Sequence, residues 1–450
     1  MAEPVPDYDL VVIGGGAAGL GAARTGLAKG ARTLLVSDGE PGGDCTFYGC
    51  VPSKTLIEAA RTGTPYAQVS ARIKQTVAEI AATEDAQTLR GEGIDVVLGC
   101  ARFVDRGAVD VGGRRLRAQR FVIATGSTAA VPPVDGLSET PHLTNETVFD
   151  LSELPESLAV LGGGPVGCEL VQAFSRLGTE VTLVEAGDRL LSQEDPEASA
   201  LIADVFAREG IDVRVGVDVE KVEAGPRLAL SDGSTVTAEQ LLVATGRTPG
   251  TGGLGLGEIG VELDGAGHVR VDKHLATSVD GIYAAGDVAG MLRLTHAAYA
   301  MGRVAAGNAL GRIPRSYRED AVPRVTFTDP EVASVGAAEQ DAPAGSRVAE
   351  LPMRAVDRAL TAAQTEGFVK LIAGRRRVLG NAGGGRVLGA TIVGARAGEL
   401  VHEPTLAIAT GMFTGRLAAT THAYPTWSSA VQLAAAQFFT RIGGREARTI

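Results

Sequence analysis

Two cysteines five positions apart, Cys45 and Cys50, are the residues of this chain whose type and spacing best suit redox chemistry. They lie in residues 42–54, which precede a predicted helix. Four intervening residues, one of them Gly49, allow the two thiols to approach within disulfide distance across the helix's first turn. The positive end of the helix dipole favours thiolate there. The pair is a candidate redox centre, although structural cysteines or two metal ligands would also explain an isolated C-x4-C.

The two remaining cysteines argue against a metal site. Structural zinc takes four ligands, and Cys100 and Cys168 accompany no partner motif. No metal site is predicted. Four cysteines are also too few for a disulfide-stabilised scaffold, and a close pair in a reducing compartment is usually catalytic or metal-binding. The context therefore favours the redox interpretation.

Two glycine-rich turns, each between an apolar strand and a helix, are candidates to hold nucleotides. The first follows residues 9–13 and leads to a strand at residues 33–36; the second follows residues 158–161 and leads to a strand at residues 181–184. One Gly-x-Gly-x-x-Gly is weak evidence, but two copies in matching contexts indicate two dinucleotide-binding domains. Their glycines are Gly14, Gly16 and Gly19 in the first turn, and Gly162, Gly164 and Gly167 in the second.

The segments around these turns complete the predicted architecture. Apolar strands ending in Ala-Thr-Gly at residues 124–126 and 244–246 each close one nucleotide domain. Residues 55–88 are predicted to be helical, with short strands after them. Beyond Arg312 the pattern changes to a separate α+β domain. The predicted fold class is α/β, with two Rossmann-like dinucleotide-binding domains and a C-terminal α+β dimerisation domain.

Length, composition and charge narrow the class of protein. The 450 residues, 45% hydrophobic and 21% charged, are typical of a multi-domain globular protein. A net charge of −11 disfavours a nucleic-acid partner, because phosphate binding depends on clustered Lys and Arg. No stretch reaches the roughly 18 apolar residues of a membrane helix, and the N-terminus lacks the pattern of a signal peptide. We expect a cytoplasmic protein with neither membrane nor nucleic-acid partners.

With these motifs the chain resembles the pyridine nucleotide-disulfide oxidoreductases, the family of dihydrolipoamide dehydrogenase, glutathione reductase and mercuric reductase. The resemblance extends from about Tyr8 to Phe439 and includes residues 281–287 and 323–336. It implies a homodimer in which each chain binds FAD and a nicotinamide nucleotide. The expected domains are an FAD-binding domain in residues 1–147 and 273–320, an NAD(P)-binding domain in residues 148–272, and an interface domain in residues 321–450.

The resemblance assigns roles around the flavin. Cys50 is expected under the flavin as the charge-transfer thiol, and Cys45 as the interchange thiol that attacks the acceptor. Lys54 is expected to pair with Glu169, where a charged pair would stabilise negative charge on reduced flavin. Asp287 would accept a hydrogen bond from the ribityl chain. The full set of expected FAD contacts is Gly14, Gly16, Gly19, Ser37, Asp38, Gly43, Lys54, Ala101, Thr125, Gly126, Asp287 and Ala297.

The second glycine turn, together with Gly246, is expected to bind the nicotinamide nucleotide. Glu185 ends the following strand, where a carboxylate accepts hydrogen bonds from a ribose 2′-OH and repels the 2′-phosphate of NADPH. The sequence therefore favours NADH. Arg189, four residues downstream, is able to meet a phosphate, so NADPH stays open.

The C-terminal segment departs from the family pattern. Disulfide reductases of the family usually carry His-Pro-Thr and a glutamate as an acid–base dyad, but here Tyr424 replaces the histidine and Ser429 the glutamate. An unperturbed tyrosine, with a pKa near 10, stays protonated at neutral pH and mainly donates. Tyr424 is a candidate catalytic residue whose alternative role is packing at the interface, and His422 is a second candidate.

The leading hypothesis is an NAD(P)H-dependent FAD enzyme that reduces a small disulfide or other thiol-reactive acceptor through Cys45 and Cys50. One alternative passes electrons from the flavin itself to quinone, oxygen or metal ions. Mercuric reductases also lack the histidine, but this chain has no cysteine after Cys168 to receive mercury. Another alternative is a flavin-binding subunit without catalytic activity.

Overall fold

The computed structural model describes residues 6–376 and 380–450. Its strands are β1 (Tyr8–Ile13), β2 (Thr33–Ser37), β3 (Asp95–Leu98), β4 (Ala101–Asp105), β5 (Ala108–Val111), β6 (Arg114–Ile123), β7 (Ser127–Ala129), β8 (Ser157–Leu161), β9 (Glu180–Glu185), β10 (Asp212–Val215), β11 (Val219–Glu223), β12 (Arg227–Leu230), β13 (Thr235–Thr237), β14 (Gln240–Val243), β15 (Arg247–Pro249), β16 (Ile282–Ala284), β17 (Arg324–Thr326), β18 (Glu331–Gly336), β19 (Arg347–Pro352), β20 (Phe368–Gly374), β21 (Arg386–Gly394) and β22 (Arg448–Thr449). Its α-helices are α1 (Ala17–Ala28), α2 (Gly43–Phe47), α3 (Cys50–Arg61), α4 (Tyr66–Ala81), α5 (Ala86–Glu92), α6 (Pro165–Leu177), α7 (Pro196–Arg208), α8 (Leu256–Ile259), α9 (Thr295–Leu310), α10 (Asp357–Thr361), α11 (Ala397–Leu400), α12 (His402–Ala409), α13 (Thr414–Ala419) and α14 (Ser429–Ala436).

The first sheet carries the N-terminal glycine turn. Its strands follow the order β3-β2-β1-β6-β5-β4, and β16 also pairs with β6. Strands β3, β2, β1, β6 and β16 are parallel, and the apolar side chains of β1 are buried, as expected for a parallel strand covered on both faces. The late strand β16 leads to α9, which packs on α1. A Cβ on Gly302 would lie 1.9 Å from the carbonyl oxygen of Ala18, so the two helices meet backbone to backbone.

The second sheet carries the second glycine turn and repeats the strand order of the first. Its parallel strands are arranged β10-β9-β8-β14, which corresponds to β3-β2-β1-β6. A small antiparallel sheet, β11-β12-β13, extends this domain. Strands β7 and β15 pair antiparallel and join the two nucleotide domains. The sequence pattern of two strand–turn–helix units thus corresponds to two Rossmann-type sheets.

The C-terminal domain is an antiparallel sheet covered by helices. Its strands follow the order β17-β18-β21-β20-β19-β22, and its core contains side chains from the sheet together with α12 and α14. This domain is the separate α+β unit predicted from the change of pattern beyond Arg312.

A buried lysine connects the C-terminal sheet to the second nucleotide domain. Lys370 on β20 is fully buried, and its Nζ lies 2.8 Å from Asp195, 3.1 Å from Glu197 and 3.0 Å from Glu339. Asp195 also caps the N-terminus of α7. Because a buried ammonium is tolerated only when it is well paired, these contacts fix the domain that contains α7 against the C-terminal sheet.

The predicted helical region at residues 55–88 required one correction. The structure divides it among α3, α4 and α5, with the first break at residues 62–65. Gly63 has φ +64° there, and the residue before Pro65 is disfavoured in the helical region of φ/ψ space. The glycine and proline therefore end one helix and start the next. The predicted fold class itself is confirmed.

Candidate functional site

The two cysteines lie on consecutive short elements, because Cys45 belongs to α2 and Cys50 begins α3. Both are partly buried free thiols in the structure. A Cβ on Gly49 would lie 3.0 Å from the carbonyl oxygen of Asp44, so a larger residue would crowd the turn between the two helices. The Sγ atom of Cys50 is 3.3 Å from the Oγ1 atom of Thr295, the first residue of α9. The return of the chain through α9 thus completes the thiol site.

The two thiols differ in acidity. Hydrogen bonding from Cys45 has the largest effect on Cys50 and, with Thr295 and the nearby Lys54 ammonium, lowers the pKa of Cys50 to about 6 against the opposing effect of burial. The same hydrogen bond, together with burial, raises the pKa of Cys45 well above its ordinary range. At neutral pH the pair therefore shares a single proton, with the thiolate on Cys50 and the thiol on Cys45.

Lys54 and Glu169 form the ion pair expected beside the flavin. Lys54 Nζ lies 2.7 Å from Glu169 Oε2 and 4.6 Å from the centre of the Phe327 ring. Glu169 is 5% exposed, and its second oxygen accepts a hydrogen bond of 2.9 Å from the backbone N–H of Phe327. The pair joins α3, α6 and the start of the C-terminal domain, so all three parts of the chain contribute to this corner of the site.

The first glycine turn has the close backbone packing that a dinucleotide pyrophosphate requires. Gly14 has φ +110°, and a Cβ on it would lie 2.2 Å from the carbonyl oxygen of Ala124. A Cβ on Gly19 would lie 1.8 Å from the carbonyl oxygen of Gly14. Gly16 precedes α1, whose first N–H groups have no partner inside the helix. The turn therefore offers free donors at a helix N-terminus.

Gly43 packs against the first glycine turn, and together they form a glycine-lined cradle. It has φ +63°, and a Cβ on it would lie 2.6 Å from the Cα of Gly16. Thr125, which follows β6, has a buried Oγ1 without a hydrogen-bond partner among the described residues. An orphaned hydroxyl at the edge of a glycine-lined cradle fits a polar ligand such as FAD. The residues present thus suit the cofactor that the resemblance implies.

The remaining expected FAD residues lie at the ends of strands and in the first turn of one helix. Ser37 is buried at the end of β2, and Asp38 is exposed directly after it. Ala101 begins β4 and is buried, and Gly126 follows Thr125 with φ +65°. Ala297 lies in the first turn of α9, where backbone N–H groups lack a partner inside the helix.

Asp287 lies beside an arginine that the sequence did not single out. Its Oδ2 atom accepts a hydrogen bond of 2.5 Å from Ser127 and is 3.6 Å from Nε of Arg247. Arg247 also donates to the Oγ and the carbonyl oxygen of Ser127, at 2.7 and 2.8 Å. These contacts involve Oδ2 of Asp287, and the expected bond from the ribityl chain to this carboxylate stays a prediction.

The second glycine turn repeats the geometry of the first. Gly162 has φ +108°, and a Cβ on it would lie 2.5 Å from the carbonyl oxygen of Ala244. A Cβ on Gly167 would lie 1.9 Å from the carbonyl oxygen of Gly162, and Gly164 caps α6. Gly246 is exposed, and its carbonyl oxygen accepts a hydrogen bond of 3.0 Å from the N–H of Ala130.

Glu185 is held at the end of β9 by backbone donors. One carboxylate oxygen accepts from Gly163 N at 2.5 Å and the other from Gly187 N at 2.6 Å. Arg189 instead donates from Nη2 to the carbonyl oxygen of Ser192 at 2.6 Å. The carboxylate is thus fixed beside the glycine turn, and the guanidinium is engaged with its own loop.

Tyr424 is 78% exposed on the C-terminal domain, and its hydroxyl donates to Asp357 Oδ2 at 2.8 Å. The carboxylate raises the pKa of Tyr424 above its ordinary value. Ser429, in the position usual for glutamate, donates to the carbonyl oxygen of Thr426. The carboxylate partner of Tyr424 therefore comes from α10, a segment in which the sequence showed no signal.

His422 is nearly buried, and both ring nitrogens have partners. Nδ1 is 2.9 Å from the carbonyl oxygen of Thr420, and Nε2 is 3.1 Å from Glu403. Burial alone lowers the pKa of His422, but the bonds to Glu403 and Thr420 raise it above its ordinary value. This arrangement favours a structural role, and a catalytic role for His422 stays a prediction.

Sequence reasoning missed several residues of the site: Asp44, Ser127, Asn145, Arg247, Thr295, Phe327 and Asp357. Arg247 directly follows the second Ala-Thr-Gly, and Asp44 precedes Cys45, so adjacency to a motif was an available signal for these two.

Within residues 6–376 and 380–450, no group of three or more His, Cys, Asp and Glu side chains is arranged to hold a metal ion. Among the same residues, no helix is long and apolar enough to cross a bilayer.

Two glycine cradles, a thiol–thiolate pair and a lysine–glutamate pair define a flavoprotein of the disulfide-reductase class. Residues 8–302 match the family model described as pyridine nucleotide-disulphide oxidoreductase, and residues 322–435 match the dimerisation domain of that family. The chain belongs to the pyridine nucleotide-disulphide oxidoreductases, a family of FAD enzymes that use NAD(P)H.

Three relatives indicate the range of similar proteins. The chain is 38% identical to a mercuric reductase of Streptomyces lividans, covering 97% of this chain and 98% of the relative. It is 37% identical to a dihydrolipoyl dehydrogenase of Thermus scotoductus, covering 95% and 96%. The solved structure of the HOCl-induced flavoprotein disulfide reductase RclA from Escherichia coli superposes with a TM-score of 0.86 at 29% identity, covering 94% and 98%. RclA has also been solved as a Cu(II) complex.

Proposed function

We propose that this enzyme uses NADH to reduce a small disulfide or another thiol-reactive acceptor through Cys45 and Cys50. Bound FAD would supply the two-electron link between the nicotinamide and the cysteine pair. The observation that carries the proposal is the placement of Cys45 and Cys50 on consecutive helices, with Cys50 Sγ 3.3 Å from Thr295 Oγ1. Hydrogen bonding between the two thiols lowers the pKa of Cys50 and raises that of Cys45. A site that only bound flavin would not need this difference in acidity.

Cys45 and Cys50 would have different roles in the thiol chemistry. Reduction of the Cys45–Cys50 disulfide takes two electrons and, at neutral pH, one proton, and it yields the Cys45 thiol beside the Cys50 thiolate. Cys45 would attack the acceptor disulfide to form a mixed disulfide, and its proton would pass to the expelled thiolate, so that one thiol is released. Cys50 thiolate would then attack Cys45, which reforms the internal disulfide and releases the second thiol.

Protonation of the released thiolates requires a donor. We propose a homodimer in which Tyr424 of one subunit serves the cysteine site of the other. Its exposure and its raised pKa support a donor rather than a base, because the hydroxyl stays protonated at neutral pH. Asp357 would orient the hydroxyl.

NADH is the proposed reductant because of Glu185. Its carboxylate lies beside the second glycine turn and is fixed by two backbone N–H groups. A 2′-phosphate would meet this negative charge, whereas a 2′-hydroxyl would donate to it. Arg189 directs Nη2 to the carbonyl oxygen of Ser192 but keeps its positive charge, so NADPH is the alternative reductant that the titration tests.

An anaerobic titration of the FAD-loaded enzyme with NADH, and then with NADPH, tests the proposal. We expect a long-wavelength charge-transfer band at two electrons per flavin, and we expect it to vanish in Cys50→Ser. Cys100→Ser, which changes an exposed cysteine that does not belong to the pair, is the matched control. Flavin bleaching without the band would remove the cysteines from the electron path. No bleaching at all would point to a flavin-binding subunit without catalysis.

The second candidate is reduction of metal ions, quinone or oxygen by the flavin itself. It is favoured by the similarity to mercuric reductases and to RclA, which has been solved with Cu(II). This chain has no cysteine beyond Cys168 to deliver a metal. Cys45→Ser distinguishes the two candidates, because flavin-level turnover would survive the substitution and disulfide reduction would not.

A further inference from the structure

Asp44, the residue before Cys45, bridges the turn between the two cysteines. Its Oδ2 atom lies over Gly49, since a Cβ placed on that glycine would be 3.0 Å from it. The backbone carbonyl of Asp44 accepts a hydrogen bond of 2.8 Å from Tyr48 N. One residue therefore contacts the chain next to Cys45 and next to Cys50.

The other carboxylate oxygen is held from outside the turn. Oδ1 of Asp44 lies 3.1 Å from Nη2 of Arg247 and accepts a hydrogen bond of 3.0 Å from Asn145. Asn145 Nδ2 also lies 3.4 Å from the carbonyl oxygen of Tyr48. The amide of Asn145 thus connects both sides of the turn, and the guanidinium of Arg247 supplies the opposite charge.

Arg247 is itself fixed, which makes it a firm anchor. It begins β15 in the strand pair that joins the two nucleotide domains. Its guanidinium donates to the Oγ and carbonyl oxygen of Ser127 and approaches Asp287. The arginine side chain is 22% exposed, and that of Asp44 is 36% exposed. Solvent therefore screens the charge pair in part, and the geometric constraint is its main effect.

We propose that Asp44 is a positioning residue that holds the Cys45–Cys50 turn closed through Arg247 and Asn145, and so favours the disulfide over the dithiol. Oxidation of the reduced pair passes two electrons to the acceptor disulfide, so that the acceptor's S–S bond breaks as the Cys45–Cys50 bond forms. A turn held closed keeps one thiol at high effective concentration near the other. The inference rests on the proposed redox role of the two cysteines.

The test is the dithiol–disulfide equilibrium of the FAD-loaded protein in glutathione redox buffers, with the free thiols counted by alkylation. In Asp44→Ala we expect the equilibrium constant for disulfide formation to fall by about tenfold, which is about 30 mV for a two-electron couple. Asp44→Asn keeps an amide oxygen and should lose about threefold. Arg247→Lys should shift the constant in the same direction, and combining it with Asp44→Ala should add little, because both act through one contact.

Asp105→Asn is the matched control, because it breaks an exposed ion pair with Arg115 on a hairpin of the same domain. The FAD content of each variant shows whether the cofactor cradle is intact, and Asp44→Asn decides the question if Asp44→Ala does not fold. Equilibrium constants in both Asp44 variants equal to that of Asp105→Asn would overturn the inference. The measurement needs no nicotinamide and reports the equilibrium of the cysteine pair instead of turnover, so it remains informative if the physiological acceptor is not a disulfide.

Discussion

The two nucleotide domains of this chain share a backbone plan and differ in the side chains that surround it. Both place a glycine turn after the first strand of a parallel sheet with the same strand order. In both, a Cβ on the first glycine would collide with the carbonyl of the alanine in the facing Ala-Thr-Gly segment, at 2.2 Å for Gly14 and 2.5 Å for Gly162. Backbone geometry therefore explains why both domains suit a dinucleotide.

The differences begin where the second strand ends. Strand β2 ends in the buried Ser37, whereas β9 ends in Glu185, whose carboxylate is held beside the glycine turn. The first domain then continues into the cysteine segment and α3, and the second into α7 and the contact with Lys370. The comparison indicates that the shared fold suits nucleotide binding in both domains. The segment after the βαβ unit differs: it carries the cysteine pair in the first domain and the contact with the C-terminal sheet in the second.

The largest expected effect concerns the cysteines that the first domain has and the second lacks. Cys45→Ser should lower NADH-dependent disulfide reduction by about 10³-fold or more, because serine is a far weaker nucleophile. Stopped-flow measurement of flavin reduction by NADH should show little change. Loss of flavin reduction as well would mean that the substitution had disturbed the cofactor site.

Replacing the first glycine of each turn by alanine tests the two nucleotide sites separately. Gly14→Ala should release FAD, seen as loss of the flavin absorbance after gel filtration, because the new Cβ meets Ala124 and the residue has φ +110°. Gly162→Ala should retain FAD and raise the KM for NADH by about tenfold or more, since strain of this kind costs about 1–3 kcal/mol. Retention of FAD by Gly14→Ala would contradict the assignment of the first cradle.

Glu185→Ser gives the second domain the residue that ends β2 in the first. Removing the carboxylate should raise kcat/KM for NADPH relative to NADH by about tenfold, because the repulsion of the 2′-phosphate disappears. Glu180→Gln, at the opposite end of the same strand, is the control and should leave the ratio unchanged. An unaltered ratio in Glu185→Ser would show that another group selects the nucleotide.

The smallest expected effect is a shift in pH dependence. The lowered pKa of Cys50, to about 6, means that the thiolate is present above that pH and is lost as the pH falls through it. The charge-transfer band of two-electron-reduced enzyme should therefore fall to half its height near pH 6. A midpoint close to 8.5, the ordinary value for a cysteine, would show that the surroundings of Cys50 do not stabilise the thiolate.

Local patterns in the sequence were enough to predict the fold class, the two glycine turns and the cysteine segment. The strand–glycine–helix repeats and the C-x4-C segment can each be recognised from a few residues, because backbone crowding and thiol spacing depend on neighbouring positions. The exact helix breaks at residues 62–65 were missed, although Gly63 and Pro65 mark them. The fold class and the family were therefore accessible without coordinates.

Contacts between distant segments were decided by the tertiary structure alone. Thr295 lies 245 positions after Cys50, and Arg247 reaches Asp44 from the other nucleotide domain. The partner of Tyr424 comes from α10 instead of the position held by Ser429. Each of these contacts depends on how sheets and helices pack in three dimensions. A single sequence contains the residues that form these contacts but does not show which residues are paired.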